Sequence, residues 1–226
     1  MSTTGTTSFD LDVNEIVEEA FARCDTELRT GYHLSTARRS LNLLTLDWAN
    51  RGINLWTITE GSIPLVKDTI EYDLPADTID LLEHQVRTGS GSNQSDITIS
   101  RISVSTYASI PNKNATGRPI QIFIDRQVSP KIKVWPAPDQ SNTYTLVYFR
   151  MRKIHDAGDG VETQDVPARM LPCLVAGLSY YLALKLPNAA PKLPFLKQEY
   201  EEQWMIASSE DREKAPLRLA PREFLY

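Results

Sequence analysis

Cysteine is scarce in this chain: two residues, Cys24 and Cys173, in 226. That is too few for the cross-linked framework of a small secreted domain, and both lie within apolar helical patterns, where a buried reduced thiol is expected. No apolar run approaches the roughly 18 residues that a membrane-spanning helix needs. Excess positive charge is also missing. Lys and Arg number 24 against 29 Asp and Glu, for a net charge of -5 and a pI near 5.3, so a surface that grips nucleic acid through many phosphates is not expected. The opening MSTTGTTS has neither the basic start nor the apolar core of a secretion signal and reads as a polar tail.

Catalytic patterns are absent from the sequence as well. There is no HExxH, GxSxG, Walker glycine loop, CxxC pair or EF-hand loop. His33, His84 and His155 lie in separate segments without ligand spacing. The carboxylate pairs Glu18/Glu19 and Glu201/Glu202 are sequence neighbours, so they point to different sides of their helices and read as solvated faces. The expectation is a non-enzymatic chain without metal or cofactor.

What is present is patterned. Asp12 and Glu15 have capping-box spacing, and Val13, Ile16, Val17, Ala20, Phe21, Cys24 and Leu28 follow on one helical face, ended by Gly31. A second helix, from about Ser35 to Arg51, places Ala37, Leu41, Leu44 and Trp48 in one stripe. Ser35 or Thr36 can cap its start, and Gly52 can end it in the left-handed conformation. From Ile53 through Leu55, Trp56 and Ile58 the period moves toward alternation, making Trp48, Gly52, Leu55 and Trp56 the candidate junction between a helical layer and a sheet.

Strand signals then recur over 69–74, 96–104, 120–124, 131–135 and 143–149, separated by turn-rich clusters, while 77–85 reads equally as strand or short helix. Short strands at such spacing indicate an antiparallel sandwich or small barrel. After a polar stretch, a third helix carries Met170, Leu171, Leu174, Val175, Leu178, Tyr181, Leu182 and Leu186, and a fourth, from about Lys192, turns Leu196, Tyr200, Trp204 and Ala207 inward. Pro167 and Pro172 blur the start of the third.

The expected fold class is therefore α+β, a bundle of about four helices with an inserted β sandwich or small barrel. Its divisions are a mobile tail (1–11), helical domain (12–52 and 165–214), β domain (53–152), linker (153–164) and docking tail (215–226). That last segment, APLRLAPREFLY, is too apolar for free solvation. Its prolines and spaced anchors Leu217, Leu219, Phe224, Leu225 and Tyr226 suit a groove on a partner, the alternative being its own domain. The basic residues Arg38, Arg39, Arg51, Arg150, Arg152 and Lys153 can meet phosphates or an acidic partner, but the negative total favours ordinary ion pairs.

The pieces LNLLTLDWANRGINLWTI, EYDLP, ISVSTYASIPNKNATGRP, IKVWPAPD with a strand ending YFR, and DVPARMLPCLVAGLSYYLALKL, taken in order over residues 12–211, resemble the head-to-tail adaptor (connector) family of short-tailed bacteriophages. The resemblance implies a virion protein at the portal vertex, assembled in the host cytoplasm as a ring of twelve copies. That ring would bind the portal on one side and tail or nozzle proteins on the other, and extend the DNA channel. No membrane partner is implied. Glu199, Glu202 and Glu210 are the candidate acids facing the passing DNA, and the tail anchors are the candidate portal contacts. Another tail or baseplate component is the alternative, and a cell-wall hydrolase would need paired acids in a cleft.

Overall fold

The computed structural model describes Gly5 and residues 11–28, 31–52 and 54–212. The chain is α+β, with five α-helices and two four-stranded sheets among the described residues. It divides into a helical unit, residues 1–47 with 156–226, and a β unit, 48–155.

In the helical unit, α1 (Val13–Arg23) opens on the expected capping box: Asp12 Oδ1 accepts from the Glu15 amide at 2.7 Å, and Glu15 Oε2 accepts from the Asp12 amide at 3.1 Å. Its end differs from expectation. The helix stops at Arg23 because Asp25 adopts φ +51°, with the Thr26 amide donating to Phe21 O and the Asp25 amide to Ala22 O. Those two bonds form a Schellman closure in which a tolerant aspartate occupies the usual glycine position. Gly31, at φ +84°, instead precedes α2 (Tyr32–Arg51), and its carbonyl accepts from the Ser35 amide at 3.1 Å. Ser35 and Thr36 thus lie inside the helix and do not cap it.

The stripe Ala37, Leu41, Leu44 and Trp48 is fully buried. Gly52 is not left-handed, and a Cβ added there would meet open space. The exit from α2 is supported by Asn54, whose buried side-chain amide donates to Trp48 O at 3.5 Å, the long end of a hydrogen bond. A side-chain cap removes the need for a left-handed residue at that point.

α4 (Leu171–Ala183) is central to the unit and buried on most sides, with Pro172 accommodated in its first turn. Six residues of 3-10 helix, Pro187–Lys192, turn the chain into α5 (Leu193–Glu210), which buries Leu196, Tyr200 and Ala207 and leaves Trp204 half-buried. Gly177 lets the helices approach: an added Cβ would sit 2.9 Å from Leu44 on α2 and 2.9 Å from Tyr200 on α5. The segment expected as linker packs along this unit. Gly160 O and Glu162 O accept from the Asn14 and Val13 amides at 3.0 and 3.1 Å, satisfying first-turn donors of α1, and the Ala157 amide donates to Asn42 at 2.7 Å.

In the β unit, Leu55–Thr57 is a 3-10 turn, so the first strand, β1 (Ile58–Pro64), starts later than the alternation suggested. The remaining strands are β2 (Glu71–Asp73), β3 (Thr78–Thr88), β4 (Ser95–Thr98), β5 (Ser100–Arg101), β6 (Gln121–Asp125), β7 (Lys131–Trp135) and β8 (Tyr144–Arg152). One sheet has the order β1-β8-β3-β4 and the other β2-β7-β6-β5, antiparallel throughout except for β5 with β6. Leu81, Val86 and Leu146 of the first sheet and Ile122, Ile124 and Ile132 of the second share one core. The ambiguous 77–85 stretch is strand β3, held between β4 and β8. Val104, expected at the end of a strand, begins α3 (Val104–Ser109), because Ser103 Oγ accepts from the Thr106 amide at 3.2 Å and caps it.

Candidate assembly surfaces

The acids expected on a channel face part company in the structure. Glu199 Oε1 lies 2.8 Å from Arg23 Nη1, and Arg23 also meets Glu19 at 3.0 Å, so this acid ties α5 to α1. Glu202 is exposed and accepts from Gln198 at 2.8 Å, and Glu210 is exposed at the end of α5. At the junction, Trp48 is fully buried, Gly52 is exposed, and Leu55 and Trp56 are half-buried. Leu217, Leu219, Phe224, Leu225 and Tyr226 lie outside the described residues.

Two of the basic residues form ion pairs. Arg150 donates to Asp77 at 2.6 Å and to Thr78 at 3.1 Å, and Arg38 meets Asp159 at 3.3 Å. The Arg150 guanidinium holds the Asp77 carboxyl below the usual carboxylate range.

The helical unit also presents apolar side chains that the sequence reading passed over. On α2, Tyr32 is 77%, Leu43 55% and Leu46 51% exposed; on α5, Phe195 is 66%, Met205 62% and Ile206 64% exposed. The signal was in LNLLTL, which holds two interleaved pairs: Leu41 and Leu44 face the core, while Leu43 and Leu46 face outward. Beside α2 runs a groove of about 620 Å³ whose walls include Tyr32, Arg39, Leu43, Leu186 and Pro187. Lys185 lies on the same groove and donates to Ser40 Oγ at 2.7 Å, and burial with nearby Arg39 pushes its ammonium below the usual lysine range.

His84, on β3, has both ring nitrogens buried with no hydrogen-bond partner among the described residues. Burial first, then the positive charge of Arg101, pushes it below 6.5, with Glu83 and a contact to the Ile99 backbone, too poor in geometry to count as a hydrogen bond, opposing. Since the unfolded chain takes up this proton first, the stability of the β unit is expected to be full above about pH 6.5 and to fall as pH drops below it. The loss from Asp77 has the same sign but belongs below its ordinary 3.8, so the two windows separate. Denaturation midpoints at pH 7.5 and 5.5 should therefore differ for the natural chain and converge for His84→Phe. An equal fall in the variant would remove His84 as the cause.

Among the described residues no group of three or more His, Cys, Asp or Glu could hold a metal ion, and no helix is long and apolar enough to cross a membrane. No curated protein matches the chain. A family model described as SU10 adaptor protein matches residues 12–220, spanning both units. The chain therefore belongs to the SU10 adaptor protein family and is a phage structural adaptor.

Proposed function

We propose that the protein is the head-to-tail adaptor of a short-tailed phage virion: a ring of twelve copies between the portal and the tail or nozzle proteins, extending the DNA channel. The observation that carries this reading is the pair of exposed apolar faces on α2 and α5, each on a helix that already buries its opposite side. A self-contained monomer has little use for two such faces, whereas a ring subunit needs one for each neighbour. The net charge of -5 suits passage of DNA without retention, and the exposed Glu202 and Glu210 are the acids assigned to the channel side. Residues 215–226 dock on the portal through Leu217, Leu219, Phe224, Leu225 and Tyr226.

Truncation before Ala215 tests the docking. A buried Leu or Phe anchor contributes about 1.5–3 kcal/mol, so losing even two weakens portal binding on the order of a hundredfold. Particles made with the truncated chain should package DNA yet lack adaptor and tail by electron microscopy. Adaptor retained at its natural copy number would show that the tail is not the portal contact.

A further inference from the structure

The groove between α2 and the end of α4 holds positive charge that nothing around it answers. Its apolar walls include Phe21, Leu182 and Leu186, with His33 stacked on Phe21 at a centroid distance of 5.2 Å. Arg39 and Lys185 both line it, and no described residue lining it is an acid. Arg39 donates to Thr36 Oγ1 at 3.4 Å and Lys185 to Ser40 Oγ at 2.7 Å, and neither forms an ion pair among the described residues. Asp25 and Glu27 line the adjoining hollow, where Lys192 already holds Asp25 at 2.5 Å. Two like charges beside apolar walls are relieved by an occupant that brings a carboxylate together with a large apolar side chain.

The two ends of the chain differ in how well they fit that description. Residues 213–226 carry Lys214, Arg218 and Arg222 against Glu213 and Glu223, three bases to two acids, which suits a basic groove poorly. In residues 1–11 the one charged side chain is Asp10, flanked by Phe9 and Leu11. For this segment the groove of its own subunit is out of reach. The loop that accepts from the first amides of α1 also meets α2, through Asp159 with Arg38 at 3.3 Å and the Ala157 amide with Asn42 at 2.7 Å. On a 3.6-residue helix Arg38 and Asn42 lie on one flank of the buried stripe Ala37, Leu41 and Leu44, whereas Thr36, Arg39 and Leu43 lie on the other. The segment therefore leaves α1 on one side of α2, and the groove opens on the opposite side. From Asp12, Asp10 extends at most about 7 Å, short of the roughly 10 Å width of the helix between. The groove of a second copy is under no such restriction.

We propose that the segment before α1 links neighbouring copies: Phe9 and Asp10 of one subunit enter the groove of the next, with the Asp10 carboxylate between Arg39 and Lys185. The inference rests on the ring reading above and adds a contact between its copies. The groove, about 620 Å³, has room for both side chains. A segment of one copy on a groove of another is a heterologous contact, the kind that closes into rings. Charge fixes the placement, because a shifted segment would set Asp10 against Leu182 or Leu186 and leave both cations unanswered. The Lys185 ammonium, held below the usual lysine range by burial and by Arg39, is returned toward it by the arriving carboxylate.

The test uses phage particles carrying Ser8→Cys together with Leu43→Cys, the latter on the groove wall, treated with a short bismaleimide; the natural Cys24 and Cys173 are buried. The double variant should give a ladder of multimers on a denaturing gel and either single variant none, since 8 meets 43 of another copy and never another 8. A dimer from a single variant overturns the contact. So does a double variant that cross-links only within one chain, or not at all, in particles that glutaraldehyde still links into multimers. Absence of multimers with both reagents would instead overturn the ring, and the contact with it. Independently, Asp10→Arg and Arg39→Glu should each lower incorporation into particles by about tenfold or more, and the two together should restore it to within about threefold. A double reversal no better than the singles overturns the placement of Asp10 at these cations.

Discussion

Tyr200→Ala is expected to cost the helical unit about 3–5 kcal/mol, the range for deleting a fully buried aromatic ring. Tyr200 has no exposed surface, stacks on Tyr180 with ring centroids 6.1 Å apart and planes 19° apart, and comes close to Gly177. Its place between α4 and α5 leaves nothing to collapse into the space, since α4 is buried on most sides and the helices are in close contact. The midpoint of thermal unfolding, followed by helical circular dichroism, should fall on the order of 10 °C. Tyr200→Phe keeps the ring and should stay within about 1.5 kcal/mol of the natural chain, the value of an ordinary hydrogen bond. If the alanine variant costs less than about 1 kcal/mol, Tyr200 does not hold these helices together.

Gly177→Leu should be destabilising for the opposite reason. Its first added carbon already lies 2.9 Å from Leu44 Cδ1 and Cδ2 and from Tyr200 Cε2, so the longer side chain must push α2 or α5 away. Overpacking of this kind costs about 1–3 kcal/mol or more, against which the roughly 1 kcal/mol gain in helix propensity is small. The two substitutions are coupled through one shared volume. Leucine at 177 beside alanine at 200 should be more stable than the sum of the single effects allows, by about 1 kcal/mol or more. Denaturant titration of the four chains gives that coupling directly, and strict additivity would show that the two sites do not share the space.

The contrast between what could be read from the residues and what could not follows the range of the forces. The Asp12/Glu15 box and the stripe Ala37, Leu41, Leu44 and Trp48 are local in sequence, and all appear as expected. β7 also falls where alternation placed it, at Lys131–Trp135. The misreadings came where a competing local device was invisible to periodicity: Asp25 taking the left-handed turn, Asn54 capping α2, and Ser103 capping α3. Of the candidate acids, Glu199 has a partner that periodicity does not reveal, because Arg23 is 176 residues away in sequence. The outward Leu43 and Leu46 were hidden by the stronger inward pair beside them. Which face a surplus leucine serves is decided by packing partners, and single-chain periodicity carries only half of that information.

The helical unit is drawn from both ends of the chain, whereas the β unit is contiguous. During synthesis, residues 48–155 therefore emerge as a complete set and can fold while the ribosome is still working. α1 and α2 appear first but must wait: their buried faces are closed by α4 and α5, and the first amides of α1 by Gly160 and Glu162. The outward stripes cannot hold a fixed spacing before Tyr200 and Ala207 have docked. An order of events follows in which the inserted unit matures first, and the exposed apolar faces of α2 and α5 reach their final places only once α4 and α5 have been made.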